Sequence, residues 1–153
     1  MAWEKEIEGL LARQSAARLQ GGEQAVARQH ERGRLTARER IDALLDPESF
    51  REEGRITGHG VDDGEGRLAS FEAANVVLGL GRIDGRPVVV CADDFTVAGA
   101  TYSAVGIKKG IYADQLATQR RVPLVRLLEG GGAKISGALG APNRSGYDMT
   151  EVS

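Results

Sequence analysis

The sequence is poor in the residue types that stack on bases or cross-link a chain. Aromatic residues make up 5% of the 153 residues, and Cys91 is the one cysteine. Scarce aromatics leave little for stacking-based binding of single-stranded nucleic acid. A lone cysteine excludes an internal disulfide and is typical of a reducing compartment.

Strong net charge and long apolar runs are also missing. The 20 basic and 22 acidic residues give a net charge of −2, so no general attraction to nucleic acid or anionic membrane exists. No apolar stretch approaches the roughly 18 residues of a membrane span, and residues 1–6 lack the apolar segment of a signal peptide. We therefore expect a soluble, cytoplasmic protein with neither a membrane nor a nucleic acid as partner.

Glycine, by contrast, is abundant. Many of the 21 glycines follow residue 54, where they separate short apolar runs. This pattern favours an α/β protein with tight turns and close backbone approaches.

Three helices are predicted in the first 50 residues. Apolar residues recur at helical spacing within 3–20, and residues 24–34 can form a second helix. Thr36 and Glu39 can exchange hydrogen bonds between side chain and backbone, the capping box that begins a helix. Asp46-Pro47 would end this third helix.

A hairpin is predicted in the middle of the chain. Residues 50–71 are polar and rich in glycine, with an exposed loop at 62–66. The apolar run 75–83 is followed by Asp84-Gly85, a two-residue hairpin signal. Residues 88–91 are apolar on both faces and therefore predict a buried return strand.

A longer helix is predicted from Ala100 to Arg120. Its apolar contacts come from residues four apart, Ile107 with Ile111 and Tyr112 with Leu116.

A second buried strand, 123–128, runs directly into the glycines 130–132. Open glycine amides at the carboxyl edge of an α/β sheet lie where such proteins bind ligands, and a helix beginning at Ala133 would add its positive end. Such a group of amides stabilises an oxyanion by about 3 kcal/mol per donor. From the local sequence alone, a simple chain turn explains the glycines equally well.

Other motifs do not support a nucleotide, metal or side-chain catalytic site. Residues 79–84, GLGRID, have aspartate where the dinucleotide fingerprint needs its third glycine. His30 and His59 lack metal-ligand spacing. Asp93 and Asp94 are adjacent on a strand and so point to opposite faces.

Four motifs, in order, resemble the carboxyltransferase (beta) subunits of biotin-dependent acyl-CoA carboxylases, the propionyl-CoA and methylcrotonoyl-CoA carboxylase group. They are GRLTARERIDALLDPESF at 33–50, GRIDGRPVVV at 81–90, DFTVAGATY at 94–102 and EGGGAK at 129–134. The resemblance runs from about residue 30 to the end of the sequence.

The resemblance implies an α/β, crotonase-like fold, a superhelix of ββα units that is incomplete here and preceded by N-terminal helices. Residues 1–50 would form the helical segment, and 51–153 part of the domain that holds acyl-CoA. The C-terminal carboxyltransferase domain would be absent, and family active sites form between N and C domains of different subunits. We therefore expect a homo-oligomer in the full-length protein and a fragment that is inactive alone.

The implied reaction moves a carboxyl group from carboxybiotin to the α-carbon of an acyl-CoA. Negative charge builds up on the thioester oxygen as the α-proton leaves, and backbone amides aimed at that oxygen lower the barrier. Biotin would be carried by a partner, a biotin carboxylase or biotin carboxyl carrier subunit, and would itself be the base. The resemblance places the oxyanion-binding amides at Gly131, Gly132 and Ala133, with Gly130 as an alternative donor.

Five cations are candidates for contacts with coenzyme A or the turn. Lys108 and Lys109 would bind its phosphates, Arg38 or Arg40 would reach its nucleotide end, and Lys134 would orient the turn. A solvated helix face or ordinary ion pairs is the competing interpretation. Lys134 also stands where the family has arginine, and it lacks the bidentate fork of that residue.

Two other functions stay open. An acyl-CoA decarboxylase subunit of the same fold would share the enolate-binding amides, and a non-catalytic acyl-CoA-binding or assembly module would fit a missing biotin-side domain. A hydratase-like enzyme is disfavoured because no glutamate pair is found.

Overall fold

The computed structural model describes residues 3–65, 67–101, 103–130 and 132. Three helices come first, five strands follow, and a fourth helix and a sixth strand end the described chain, in the order α1, α2, α3, β1, β2, β3, β4, β5, α4, β6. The helices are α1 (Glu4–Arg18), α2 (Glu23–Glu31), α3 (Ala37–Leu44) and α4 (Ala104–Arg120). The strands are β1 (Arg51–Glu53), β2 (Gly58–Asp62), β3 (Leu68–Ala73), β4 (Val76–Ile83), β5 (Arg86–Asp93) and β6 (Leu124–Leu127).

The main sheet has the strand order β1-β4-β5-β6 within the described residues. β4 and β5 form the predicted hairpin, with Ile83 opposite Arg86 and positive φ values at Asp84 and Gly85, as a type I′ turn requires. The Asp46 carboxylate accepts both turn amides, at 2.9 and 2.8 Å. β5 and β6 are parallel, and α4 makes the crossover between them.

The two faces of β5 belong to two apolar layers. Alternate residues of a strand point to opposite faces, so Val88, Val90 and Ala92 pack with the α3 residues Ala37 and Ile41. On the other face, Val89 and Cys91 pack with Ala113, Leu116 and Ala117 of α4. The sheet therefore lies between α3 and α4, and α3 shares its core with the strands that follow it.

The three N-terminal helices agree with the prediction. The capping box at the start of α3 is formed: the Glu39 amide donates to Thr36 Oγ1 at 3.3 Å, and the Thr36 amide donates to the Glu39 carboxylate at 2.7 Å. Between α1 and α2, the Gly21 amide donates to Thr96 Oγ1 at 3.0 Å. A β-carbon at Gly21 would lie 1.8 Å from the Thr96 carbonyl oxygen, so this close approach requires glycine.

Two predictions about the later elements need correction. Residues 51–73 form three strands, although no regular structure was predicted for 50–71, and β2 and β3 form a separate antiparallel pair. On α4, Ile111 and Tyr112 are 41% and 42% exposed. The buried face of α4 consists mainly of small residues, because close helix–sheet packing leaves little room for large side chains.

Lys109 also lies on the buried face of α4 and is 6% exposed. Its Nζ donates to the Gly54 carbonyl at 3.2 Å. Loss of hydration lowers the pKa of Lys109 to about 8, although the negative charge of Glu52 opposes the shift. A buried amine thus links α4 to the segment after β1.

None of the helices in the described part of the chain combines the length and the apolar content that a membrane crossing needs.

Replacing Thr36 by alanine removes the hydroxyl that caps α3, and we expect the free energy of unfolding to fall by about 1 kcal/mol. Urea denaturation followed by circular dichroism measures the change. Thr118→Ala is the matched control, since Thr118 Oγ1 bonds only the Asp114 carbonyl within α4 and alanine favours a helix. An equal loss in both variants would contradict the capping role.

The buried Lys109 predicts a pH-dependent stability. Because its pKa falls from 10.5 to about 8 on folding, the unfolded chain binds more protons between these pH values, and stability rises with pH there. We expect the free energy of unfolding of the wild type minus that of Lys109→Met to be lowest below pH 8. It should rise by about 3 kcal/mol toward pH 10.5. Lys108→Met, at an exposed neighbour, should give a curve parallel to the wild type.

Candidate functional site

The carboxyl ends of two parallel strands meet beside the start of α4. Cys91 of β5 lies opposite Arg126 of β6, and Ala92 lies opposite Leu127. The chain leaves β6 through Leu128 and Glu129 and enters the glycine turn. This is the edge at which α/β sheets bind ligands.

A cleft of about 130 Å³ opens at this edge. The strand ends, the start of α4 and the glycine turn line it together. The described lining residues include Asn75, Cys91, Asp93, Thr101, Ser103, Gly106, Gly110, Arg126, Gly130 and Gly132. The sequence-predicted turn therefore faces a cavity.

Gly130 and Gly132 are the described members of the predicted oxyanion-binding turn. No other described atom lies within 4 Å of where a β-carbon would sit on either residue, and Gly132 has a φ of +80°. Within the described part of the chain, neither amide donates a hydrogen bond. The other predicted members, Gly131, Ala133 and Lys134, lie outside the described residues, so the assignment of the donors stays a prediction.

Glu129, directly before the turn, is held by four residues. Its amide donates to Asp93 Oδ2 at 3.1 Å, and its Oε1 accepts from Gln29 Nε2 at 2.6 Å. Arg40 Nη2 lies 3.1 Å from Glu129 Oε2, and Arg34 Nη1 lies 3.5 Å from Oε1. The Glu129 amide thus ties the turn to β5, and the carboxylate ties it to the helices α2 and α3.

Arg40 connects both strand ends to this carboxylate. Its Nη1 donates to the Leu127 carbonyl at 3.2 Å, and its Nη2 donates to the Asp93 carbonyl. The Arg40 side chain is 20% exposed. Arg40 was a candidate for the nucleotide end of coenzyme A, but the structure places it at the ends of β5 and β6.

Polar side chains organise the opposite side of the cleft. Ser103 Oγ accepts from the Gly106 amide at 2.9 Å, which caps α4, and donates to Asn75 Oδ1 at 2.9 Å. Asn75 Nδ2 donates to the Thr101 carbonyl. A β-carbon on Gly106 would lie 2.4 Å from Asn75 Oδ1, so glycine permits this close approach of the helix to Asn75.

The charges around the cleft are paired or displaced from it. Arg126 contacts both oxygens of Asp114, at 2.8 and 2.7 Å. Burial raises the pKa of the Cys91 thiol, which keeps it protonated and poorly nucleophilic. Burial also raises the pKa of Asp94, although hydrogen bonds from Thr96 oppose the shift. No described side chain is therefore arranged as a nucleophile with its base.

The cations predicted to contact coenzyme A lie in different environments. Arg38 forms a two-point ion pair with Glu52, at 2.9 and 3.0 Å. Burial favours a higher pKa for Glu52, but Arg38 and Arg55 outweigh it and leave the pKa lowered. Lys109 is buried, whereas Lys108 is exposed. A role in phosphate binding stays a prediction for each of them.

No group of histidine, cysteine or acidic side chains in the described ranges could hold a metal ion. His30 instead contacts the Glu39 carboxylate at 2.9 Å.

The sequence reasoning missed several residues around the turn. Gln29 is 2% exposed and meets Glu129 across 100 positions of the chain, while Asn75 contacts Ser103 across 28. Neither lies in a recognisable motif. A lone glutamine on a polar helix and an asparagine before a strand carry no signal of such distant partners.

Comparison with known proteins supports the resemblance. The propionyl-CoA carboxylase beta chain of Roseobacter denitrificans is 39% identical over 141 residues, 92% of this chain and 27% of that protein. The mitochondrial methylcrotonoyl-CoA carboxylase beta chain of Arabidopsis thaliana is 40% identical over 114 residues, 74% of this chain and 19% of that protein. The chain thus spans about a quarter or less of the length of these relatives.

Solved structures share the fold. Transcarboxylase 12S, a hexamer solved with methylmalonyl-coenzyme A and methylmalonic acid bound, matches with a TM-score of 0.73 and 36% identity, over 86% of this chain and 26% of that one. A Pseudomonas malonate decarboxylase hetero-tetramer in complex with malonate matches with a TM-score of 0.53 and 31% identity, over 65% of this chain and 38% of that one. The predicted α/β, crotonase-like fold is confirmed.

Residues 28–150 match the carboxyl transferase domain family. With the match covering most of the sequence, the chain belongs to the carboxyl transferase domain family, whose members include beta chains of acyl-CoA carboxylases.

Proposed function

We propose that this chain is part of a carboxyltransferase that carboxylates the α-carbon of an acyl-CoA, and that residues 51–153 contribute its acyl-CoA side. Residues 1–50 are the helical segment that precedes it. The observation that carries the proposal is the glycine turn, whose described residues Gly130 and Gly132 line a cleft at the carboxyl edge of β5 and β6. Membership of the carboxyl transferase family supports it.

The chemistry needs electrostatic stabilisation more than a reactive side chain. As the α-proton leaves, charge moves onto the thioester oxygen, and each amide aimed at it contributes about 3 kcal/mol. The amides of 131–133 are the proposed donors. The buried, protonated thiol of Cys91 and the paired Arg126 are consistent with a site that acts through its backbone.

The described cleft has the size of an acyl group and not of a whole coenzyme. A cavity of about 150 Å³ holds a benzene ring, so the space of about 130 Å³ accommodates a few carbon atoms and a carbonyl group. The rest of coenzyme A would extend over the surface. Exposed Lys108 on α4 is the proposed contact for a phosphate.

The carboxyl group would be supplied by carboxybiotin on a partner, a biotin carboxylase or biotin carboxyl carrier subunit. The described residues build only the proposed thioester side, which fits a chain that spans about a quarter of its relatives. We propose that activity requires the second carboxyltransferase domain and a homo-oligomer. The hexameric assembly of transcarboxylase 12S supports the oligomer. We retain a cytoplasmic location as part of this proposal.

A decarboxylase subunit is the second candidate, favoured by the structural match to malonate decarboxylase. Both reactions pass through an enolate, so both use the same amides. They differ in the fate of the carboxyl group, which a decarboxylase releases as carbon dioxide.

We expect the amides of the turn to polarise a bound thioester. Difference infrared spectroscopy of propionyl-CoA labelled with ¹³C at the carbonyl should show its stretching band at lower frequency on the protein than in water. Alanine is substituted at two glycines, one with a positive φ and one without, to separate an effect of backbone conformation from an effect of the added methyl group. Gly130→Ala should retain the shift. Gly132→Ala should reduce it, because the φ of +80° is strained for alanine. An unshifted carbonyl in a bound, wild-type complex would exclude the oxyanion role.

The two candidate reactions can be separated with methylmalonyl-CoA labelled in its free carboxyl group. We expect no release of labelled carbon dioxide from the chain alone, and label transfer to added biotin once a second carboxyltransferase domain is supplied in trans. Biotin-independent release of carbon dioxide would instead favour the decarboxylase.

A further inference from the structure

The described glycines of the turn have no side-chain contacts that could fix its position. Gly130 and Gly132 have no side chains, and no other described atom lies near enough to pack against a β-carbon at either position. Leu128, on the strand side of the turn, is 72% exposed. Since a preorganised oxyanion site needs its donors fixed before the reaction, some neighbouring residue has to fix this turn.

Glu129 is the residue that meets this need. It is directly bonded to Gly130, and its amide is held by Asp93 Oδ2. Its side chain is 15% exposed and is gripped on one oxygen by Gln29, at 2.6 Å, and on the other by Arg40, at 3.1 Å. An ionised acceptor makes the hydrogen bond from Gln29 stronger and shorter than a neutral one, and Arg40 adds an ion pair. The backbone at the mouth of the turn is thus held from both sides.

Arg40 fixes the distances between neighbouring segments as well as pairing with the Glu129 charge. Its planar guanidinium contacts the Asp93 carbonyl, the Leu127 carbonyl and the Glu129 carboxylate. These groups lie at the end of β5, at the end of β6 and before the turn. One rigid fork therefore sets the spacing of the three segments that surround the cleft, which a lysine ammonium could not reproduce.

We propose that Arg40 and Glu129 are positioning residues, a clamp between α3 and the glycine turn that fixes the direction of the turn amides. That the clamp alters thioester binding rests on the proposed function, whereas its control of the position of the turn does not. The N-terminal helices are therefore part of the site's construction, although neither Arg40 nor Glu129 is among the described residues that line the cleft.

The full chain tests this with two kinds of measurement. Nitrogen-15 NMR of the Gly130 and Gly132 amides, recorded without ligand in the wild type and in each variant, reports the position and mobility of the turn. The affinity for propionyl-CoA, divided by the affinity for a thioether analogue that lacks the carbonyl oxygen, reports whether the turn binds the thioester oxygen. The variants are Arg40→Met, Arg40→Lys and Glu129→Gln, and Asp62→Asn is the control, because it breaks the Arg13–Asp62 ion pair on β2.

We expect Arg40→Met and Glu129→Gln to shift and loosen the glycine amides and to lower the preference for the thioester about tenfold, as the loss of one charged hydrogen bond does. The double variant should lose less than the sum of the two single losses, because both variants break the Arg40–Glu129 ion pair and Arg40→Met adds only the loss of its bonds to the Asp93 and Leu127 carbonyls. Arg40→Lys should recover part of the effect, and Asp62→Asn should change neither readout. Glu129→Gln keeps the side-chain shape and serves if Arg40→Met does not fold.

The outcomes separate the clamp from the proposed function. Lower thermal stability with unchanged glycine amides would overturn the clamp, since the two residues would then be merely structural. Displaced amides in the variants, without any thioester preference in the wild type, would support the clamp and reject the thioester function. A wild-type preference that survives in Glu129→Gln would leave the function standing and reject the clamp.

Discussion

The central strand β5 is the constraint on which the rest of the structure depends. It is hydrogen-bonded to β4 on one side and to β6 on the other, and its residues alternate between the α3 layer and the α4 layer. Val89, Val90 and Ala92 are fully buried. Since no residue from Val88 to Ala92 can be moved without disturbing a core on one side, the carboxyl end of the strand is set by packing on both faces of the sheet.

The candidate site takes advantage of this rigid end. Asp93, the last residue of β5, offers its carbonyl to Arg40 and its carboxylate to the Glu129 amide. The glycine turn is thereby attached to the most buried part of the molecule, although its own residues pack against nothing described. Backbone amides stabilise an oxyanion when they are open to the substrate and fixed in direction, and here different residues would meet the two needs.

Most of the candidate cations likewise have structural surroundings within the protein. Three of the cations that the sequence analysis named as candidates have protein partners or are buried: Arg38 pairs with Glu52, Arg40 holds the strand ends, and Lys109 is buried. Burial of a lysine is costly unless its charge is compensated or lost, which is why the pKa of Lys109 falls. Lys108, by contrast, is exposed on the same helix.

Much of the local structure was determined by the sequence itself. The capping box of Thr36 and Glu39, the Asp84-Gly85 hairpin and the apolar run of β5 depend on residues close together in the chain, so their patterns can be read without knowing the fold. The strands β1, β2 and β3 could not be read, because their residues are polar and glycine-rich and become strands only by pairing with partners elsewhere.

The glycine turn shows which features the sequence determined and which ones the tertiary structure decided. Three adjacent glycines indicated an open backbone, and the family motif indicated its use, but only the tertiary structure decided that Gly130 and Gly132 face a cleft and that Gln29 and Arg40 reach Glu129. Those contacts join residues about a hundred positions apart. Single side chains on polar helices carry no trace of such partners, because it is the packing of α3 on the sheet that brings them together.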